Sequence, residues 1–205
     1  MRGVALFWGA MVLVATTVAS ANDVSSVKAA AALASCEGTD HMAADREHKL
    51  DHLAQSIALA EEAVAADDGD ALAHLALFCG LGKQIELSGL SWRVLGRLHR
   101  AEAEIDRAVE LAPTNPEVLV AKGALLRRLP TPLGGDKDEG LRYLRRALAI
   151  KPDHVPGRLL LARALADDRL PEARQEAYHA LDVAQRSGTE DERVEAQQLL
   201  ASLQD

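Results

Sequence analysis

Three groups of side chains in this sequence have the types and spacing that chemistry could use. His48 and His52 lie four residues apart in REHKLDH, with Glu47 and Asp51 beside them. On a helix that spacing puts two imidazoles on one face, as a zinc ion requires. Lys49 stands where a metalloprotease carries its general-base glutamate. With no third ligand identified, a solvated helix face accounts for the pair better than a metal-dependent activity does. Cys36 and Cys79 are the only cysteines. A reactive thiolate needs a base or cation to lower its pKa, and nothing in the sequence supplies one. The pair therefore reads as a disulfide or as two buried thiols. The third group is LPTPLGGDKDEG, residues 129–140, with two prolines, two glycines and an acidic cluster. A phosphate cradle needs G-x-x-x-x-G-K-[ST] after a strand, and this run has neither. Its simpler reading is punctuation: Pro130 and Pro132 stop a helix, Gly134 and Gly135 reverse the chain, and Asp136 caps the next helix. The sequence calls for no catalytic residue, no metal and no cofactor.

The first 21 residues, MRGVALFWGAMVLVATTVASA, carry one positive charge at Arg2, an apolar run from Val4 to Val18, and a small-x-small ending at Ala19–Ala21. This is the pattern of a cleaved secretory signal, and the apolar run is short for a bilayer span. The expected organisation is a signal over 1–21 and a single domain over 22–205, with a periplasmic destination and no stable membrane insertion after cleavage. LASC, Leu33 to Cys36, has the form of a lipoprotein box, but Asn22, Asp23 and Lys28 separate it from the apolar run it should close. The whole chain has 23 Lys and Arg against 31 Asp and Glu, a formal charge of −8. That balance argues against nucleic acid, whose phosphates must be neutralised by basic side chains.

The remainder of the chain must be helical to position any of these groups. Leu50, Leu53, Ile57, Ala60 and Val64 recur three and four residues apart, which predicts a helix over about 44–66. Trp92, Leu95, Leu98, Ile105 and Val109 predict another over about 88–112, and 191–203 closes the chain as a capping helix. Phe78, Trp92, Tyr143 and Tyr178 are expected in the core. No stretch alternates with period two, so no strands are expected. The helices also repeat. EEAVAADDGDA, DRAVELAPTNPE and RRALAIKPDHVP each set a small residue (Ala63, Ala108, Ala147) a few positions before a turn. Paired helices at a spacing in the thirties to forties imply a solenoid in which each hairpin buries its face on the next.

The pattern resembles the tetratricopeptide repeat family over about residues 44–187, most closely from Ala101 to Arg186. Ala108 and Ala147 match its position 27, and Pro113 and Pro152 its position 32. Gly123 and Ala162 match position 8, and Gly140 and Ala173 position 20. The resemblance implies an all-α, right-handed α-solenoid of about four hairpins plus the C-terminal capping helix. It implies a concave groove lined by Val120, Arg127, Leu159 and Arg163, and a protein or peptide partner. Stacked hairpins would make the first and third helices parallel neighbours, which permits a Cys36–Cys79 bridge. The family's clamp for acidic peptide ends needs asparagine on inner helices, where this chain has Lys83 and Lys122 but no asparagine. The leading expectation is an exported, non-catalytic scaffold, with homo-oligomers left open. The Gly-Gly-Asp turn with its prolines is similar to that of TatT, the helical component of some periplasmic substrate-binding transporters. That likeness implies the alternative, a transport accessory that holds or passes a small organic ligand.

Overall fold

The computed structural model describes residues 21–88, 92–166 and 169–204. The leader expected over 1–21 falls almost wholly outside them, as does the side chain of Trp92. The described chain forms nine α-helices and no strand: α1 (Ala21–Gly38), α2 (Arg46–Ala66), α3 (Ala71–Ser88), α4 (Trp92–Leu111), α5 (Pro116–Arg128), α6 (Lys137–Ile150), α7 (Val155–Leu165), α8 (Leu170–Ser187) and α9 (Glu190–Ser202). Consecutive helices pair as four hairpins, α1/α2, α3/α4, α5/α6 and α7/α8, and α9 packs on the last.

Local chemistry sets the boundaries. Asp45, Asn115, Asp136 and Thr189 each accept a hydrogen bond from a backbone N–H in the first turn of α2, α5, α6 and α9. Each cap satisfies a donor that the helix cannot. Thr189 and Glu192 complete a capping box. Pro116, Pro156 and Pro171 occupy the first or second helical position, where a missing N–H costs nothing. In the run 129–136, a 3-10 turn over Thr131–Leu133 leads to Gly134 at φ 85°, and Asp136 starts α6. A side chain at Gly134 would be strained in that left-handed region. The run is a turn, as its composition implies.

Packing follows the apolar stripes. On α4 the buried set is Val94, Leu98, Ala101, Ile105 and Ala108. Leu95, expected on this stripe, lies one residue off it and is 47% exposed. Tyr178, expected in the core, is 54% exposed beside the buried line Ala173, Ala177, Ala180 and Ala184 on α8. Ser88 ends α3 rather than starting α4. Fully buried alanines mark the helix crossings, including Ala60, Ala63, Ala108, Ala147 and Ala180. Where α5 crosses α6, two glycines face each other. A Cβ on Gly123 would lie 3.0 Å from the Gly140 carbonyl oxygen, and one on Gly140 would lie 2.9 Å from the Gly123 carbonyl oxygen. That hairpin is closed backbone to backbone.

The first hairpin is held differently. α1 packs on both α2 and α3, but its fully buried side chains are small: Ser25, Ala29, Ala32 and Cys36. Polar contacts supplement them. Ser25 donates to the Ala63 carbonyl at 3.0 Å, and Ser56 to the Ala32 carbonyl at 2.8 Å. Cys36 and Cys79 form a disulfide, with S–S 2.06 Å and Cα–Cα 6.3 Å. Cys36 sits inside α1, near its carboxyl end, and Cys79 lies at the middle of α3. An exposed side-chain contact, His41 Nδ1 to Asp191 at 3.2 Å, reaches from the turn between α1 and α2 to the start of α9.

Candidate functional site

The first helix of each hairpin faces the inside of the solenoid. Together α1, α3, α5 and α7 enclose a groove of about 580 Å³. Its walls are Leu33 of α1, Leu75, Phe78 and Ile85 of α3, Val120 and Leu125 of α5, and Leu160 of α7, with Leu98 of α4 behind. Leu33, Phe78, Leu125 and Leu160 are only half-buried. Gly82, Ala121 and Ala124 hollow the groove by carrying little or no side chain.

Charged residues ring this apolar floor. Lys83 donates to Asp40 at 2.6 Å and to the Cys36 carbonyl at 3.0 Å. Arg128 of α5 pairs with Glu86 of α3. Glu117, at the start of α5, takes Lys151 at 3.2 Å and the Nε2 of His154. His154 is buried and caps α7 by accepting the Gly157 N–H at Nδ1, 2.9 Å. The same imidazole therefore donates at Nε2 and accepts at Nδ1, tying α5 to α7 at the groove edge. The hydrogen bond from His154, joined by the hydrogen bond and charge of Lys151, holds the Glu117 carboxyl below the usual glutamate range against the opposing pull of burial. A depressed carboxylate stabilises the fold at pH values above its ordinary range, and the effect is lost as pH falls through the lowered value. Glu117→Gln is expected to destabilise the protein by about 0.5–1 kcal/mol at pH 7, a figure reduced for its half-exposed position. Thermal melts of both proteins from pH 7 to pH 3 check this: the gap should close at the acid end, and a constant gap would sink the assignment.

The groove residues implied by the repeat resemblance separate into two sets. Val120 lines the groove. Leu159 is 1% exposed, in the core, and its neighbour Leu160 lines the groove in its place. Leu159 shares a face with Val155 and Ala162, the stripe that α7 buries, and Leu160 is turned about 100° away. Arg127 shares a face with Gly123, four residues before it. That face crosses α6, so the Arg127 side chain passes over Gly140 and donates to the carbonyls of Ala164 at 2.9 Å and Lys137 at 3.3 Å. Arg128 occupies the groove edge instead. Arg163 reaches outward to Glu195 of α9 at 2.7 Å. The lining on α5 and α7 thus runs one residue beyond the positions implied at Arg127 and Leu159.

His48 and His52 turn to different partners. His48 bonds its own N-cap, Asp45, at 2.8 Å, while His52 bonds the Ser35 hydroxyl and carbonyl of α1, each at 3.0 Å. Among the described residues no group of three or more His, Cys, Asp or Glu side chains is placed to hold a metal ion. Lys122 is paired with Asp106 at 2.5 Å, away from the groove lining.

No family model matches the chain, and no curated protein sequence does. Solved structures do resemble it in fold. TTC0263, a thermophilic TPR protein of Thermus thermophilus, is 20% identical with a TM-score of 0.59, over 89% of this chain and 100% of that one. PilW, a widely conserved type IV pilus biogenesis factor, is 16% identical with a TM-score of 0.54, over 88% of this chain and 77% of that one. The arrangement of hairpins is that of the tetratricopeptide repeat solenoid.

Proposed function

We propose that this chain, a solenoid of tetratricopeptide-repeat fold, is a non-catalytic scaffold of the periplasm that holds a protein partner in its concave groove. One observation carries the reading: half-buried apolar side chains from α1, α3, α5 and α7 converge on a preformed groove of about 580 Å³. Contiguous apolar surface of this kind is a signature of an interaction site, and a rigid scaffold that presents it saves the entropy of ordering a loop on binding. The leader sequence and a disulfide, which persists in oxidising compartments, support export.

The test is capture from the native periplasm with crosslinking and mass spectrometry. Ala124→Glu places a carboxylate on the groove floor and is expected to leave the fold within about 1 kcal/mol of wild type, because Ala124 is half-buried. It should abolish capture. Arg163→Glu, outside the groove, should not. Undiminished capture by Ala124→Glu would remove the groove from the account. A second reading rests on the same volume, which lies in the roughly 300–1,000 Å³ range of small-molecule sites. In that case the chain is a transport accessory holding an organic ligand. Native mass spectrometry separates the two: a stoichiometric small adduct favours the accessory, and its absence alongside a captured protein favours the scaffold.

A further inference from the structure

A glycine in the middle of α3 has no folding reason to be there. Gly82 lies inside a helix of 18 residues, well away from either end. A Cβ at this position would meet nothing within 4 Å. It makes no close helix crossing of the kind that Gly123 and Gly140 make, and its φ is not positive. Glycine inside a helix is less stable than alanine, so the position gives up stability without any return from the fold. What distinguishes Gly82 is its place: it lines the groove, between Phe78 and Ile85 on the same helix and opposite Ala121 and Ala124 of α5.

The charges around it constrain what can lie there. Arg128 is matched by Glu86, Lys83 by Asp40, and Glu117 by His154 and Lys151. Glu37, also at the edge, has no ion partner among the described residues. An acidic ligand would thus meet matched cations and an extra carboxylate, and a basic one could reach only Glu37, at the rim, without breaking an existing pair. The floor itself carries no charge, and an apolar floor inside a rim of mostly matched charges is the anatomy of a protein–protein contact centre.

We infer that the groove takes an uncharged apolar segment of a partner polypeptide, and that Gly82 is the specificity-determining position where this segment lies directly against the α3 backbone. This rests on the scaffold reading above and deepens it. Gly96, on the exposed face of α4 and likewise with nothing within 4 Å of a Cβ, is the matched control because it is outside the groove.

The experiment places the photo-reactive amino acid p-benzoylphenylalanine at Ala124 in the full chain, expressed in its native cell, and maps the adduct by mass spectrometry. The expected result is a polypeptide adduct within an uncharged apolar stretch. Gly82→Leu should cut its yield roughly tenfold or more, and Gly96→Leu should leave it. Gly82→Ala, the conservative variant, should cut the yield by less while raising the melting temperature by roughly 2–4 °C; it also covers the case in which Gly82→Leu fails to fold. An adduct on an acidic or basic tail overturns the chemical assignment while leaving the scaffold standing. A lipid or other small molecule in place of a polypeptide overturns the partner. A full yield in the Gly82 variants overturns the role of Gly82. If Ala124→Glu fails to abolish capture, it is the groove itself that falls.

Discussion

Replacing Cys36 and Cys79 together by alanine is expected to lower stability by about 4 kcal/mol. The bond closes a loop with a sequence separation of 43 residues, and the loop-entropy model gives about that value for such a loop. The loss falls on a helix that has little else to hold it. The fully buried side chains of α1 are alanines, a serine and Cys36 itself, and small side chains contribute little hydrophobic free energy when removed from water. The hydrogen bonds from Ser25 and Ser56 are worth only about 1 kcal/mol each. Because Leu33 and Glu37 of α1 form one wall of the groove, detachment of α1 would open the site as well. Thermal unfolding and limited proteolysis check this. The midpoint should fall by roughly 10 °C, with early cleavage within α1. A midpoint within about 2 °C of wild type would show that the helix docks without its bond.

Gly123→Leu should cost about 3 kcal/mol. At this crossing the obstacle to a side chain is a carbonyl oxygen of the neighbouring helix, 3.0 Å from where a Cβ would sit, together with Leu144 Cγ at 3.0 Å. Leu144 is fully buried and has nowhere to go. Backbone cannot rotate aside as the end of a long side chain can, so the two helices must separate, at the upper end of the usual overpacking cost. The separation would pass to the groove, since α5 carries Val120, Ala121, Ala124 and Arg128 on its other side. Gly123→Ala should be milder, and combining it with Gly140→Ala should be non-additive because the two positions face each other. An unchanged melting temperature for Gly123→Leu would contradict the crossing.

The fold was readable in the sequence because its signals are local and repeated. Apolar residues three and four apart, small residues at the crossings and caps such as Asp136 each determine structure within a few residues of themselves. The run at 129–140 could be told from a phosphate loop the same way, by spacing alone. The groove was less legible. Leu159 and Leu160 are the same residue type side by side, and only the direction of α7 against α8 decides which of them is buried. Arg127 and Arg128 pose the same ambiguity, resolved by the crossing at Gly123 and Gly140. Tyr178 misled for a related reason: an aromatic beside a stripe of alanines looks like core until the stripe proves sufficient by itself. Gly82 gave a signal that periodicity ignores, a helix breaker placed where the helix is unbroken.

The bridge between α1 and α3 also sets how the array comes apart. In a solenoid each hairpin touches only its neighbours, and opening begins at whichever end is less secured. Here the amino-terminal end is covalently tied two helices inward, while α9 rests on α7 and α8 and an exposed side-chain contact to His41. Such a contact adds at most about 1 kcal/mol. Fraying therefore runs in one direction, from the carboxyl terminus toward the tied end. Hydrogen exchange should read as a gradient, fastest in α9 and slowest in the helices nearest the bond.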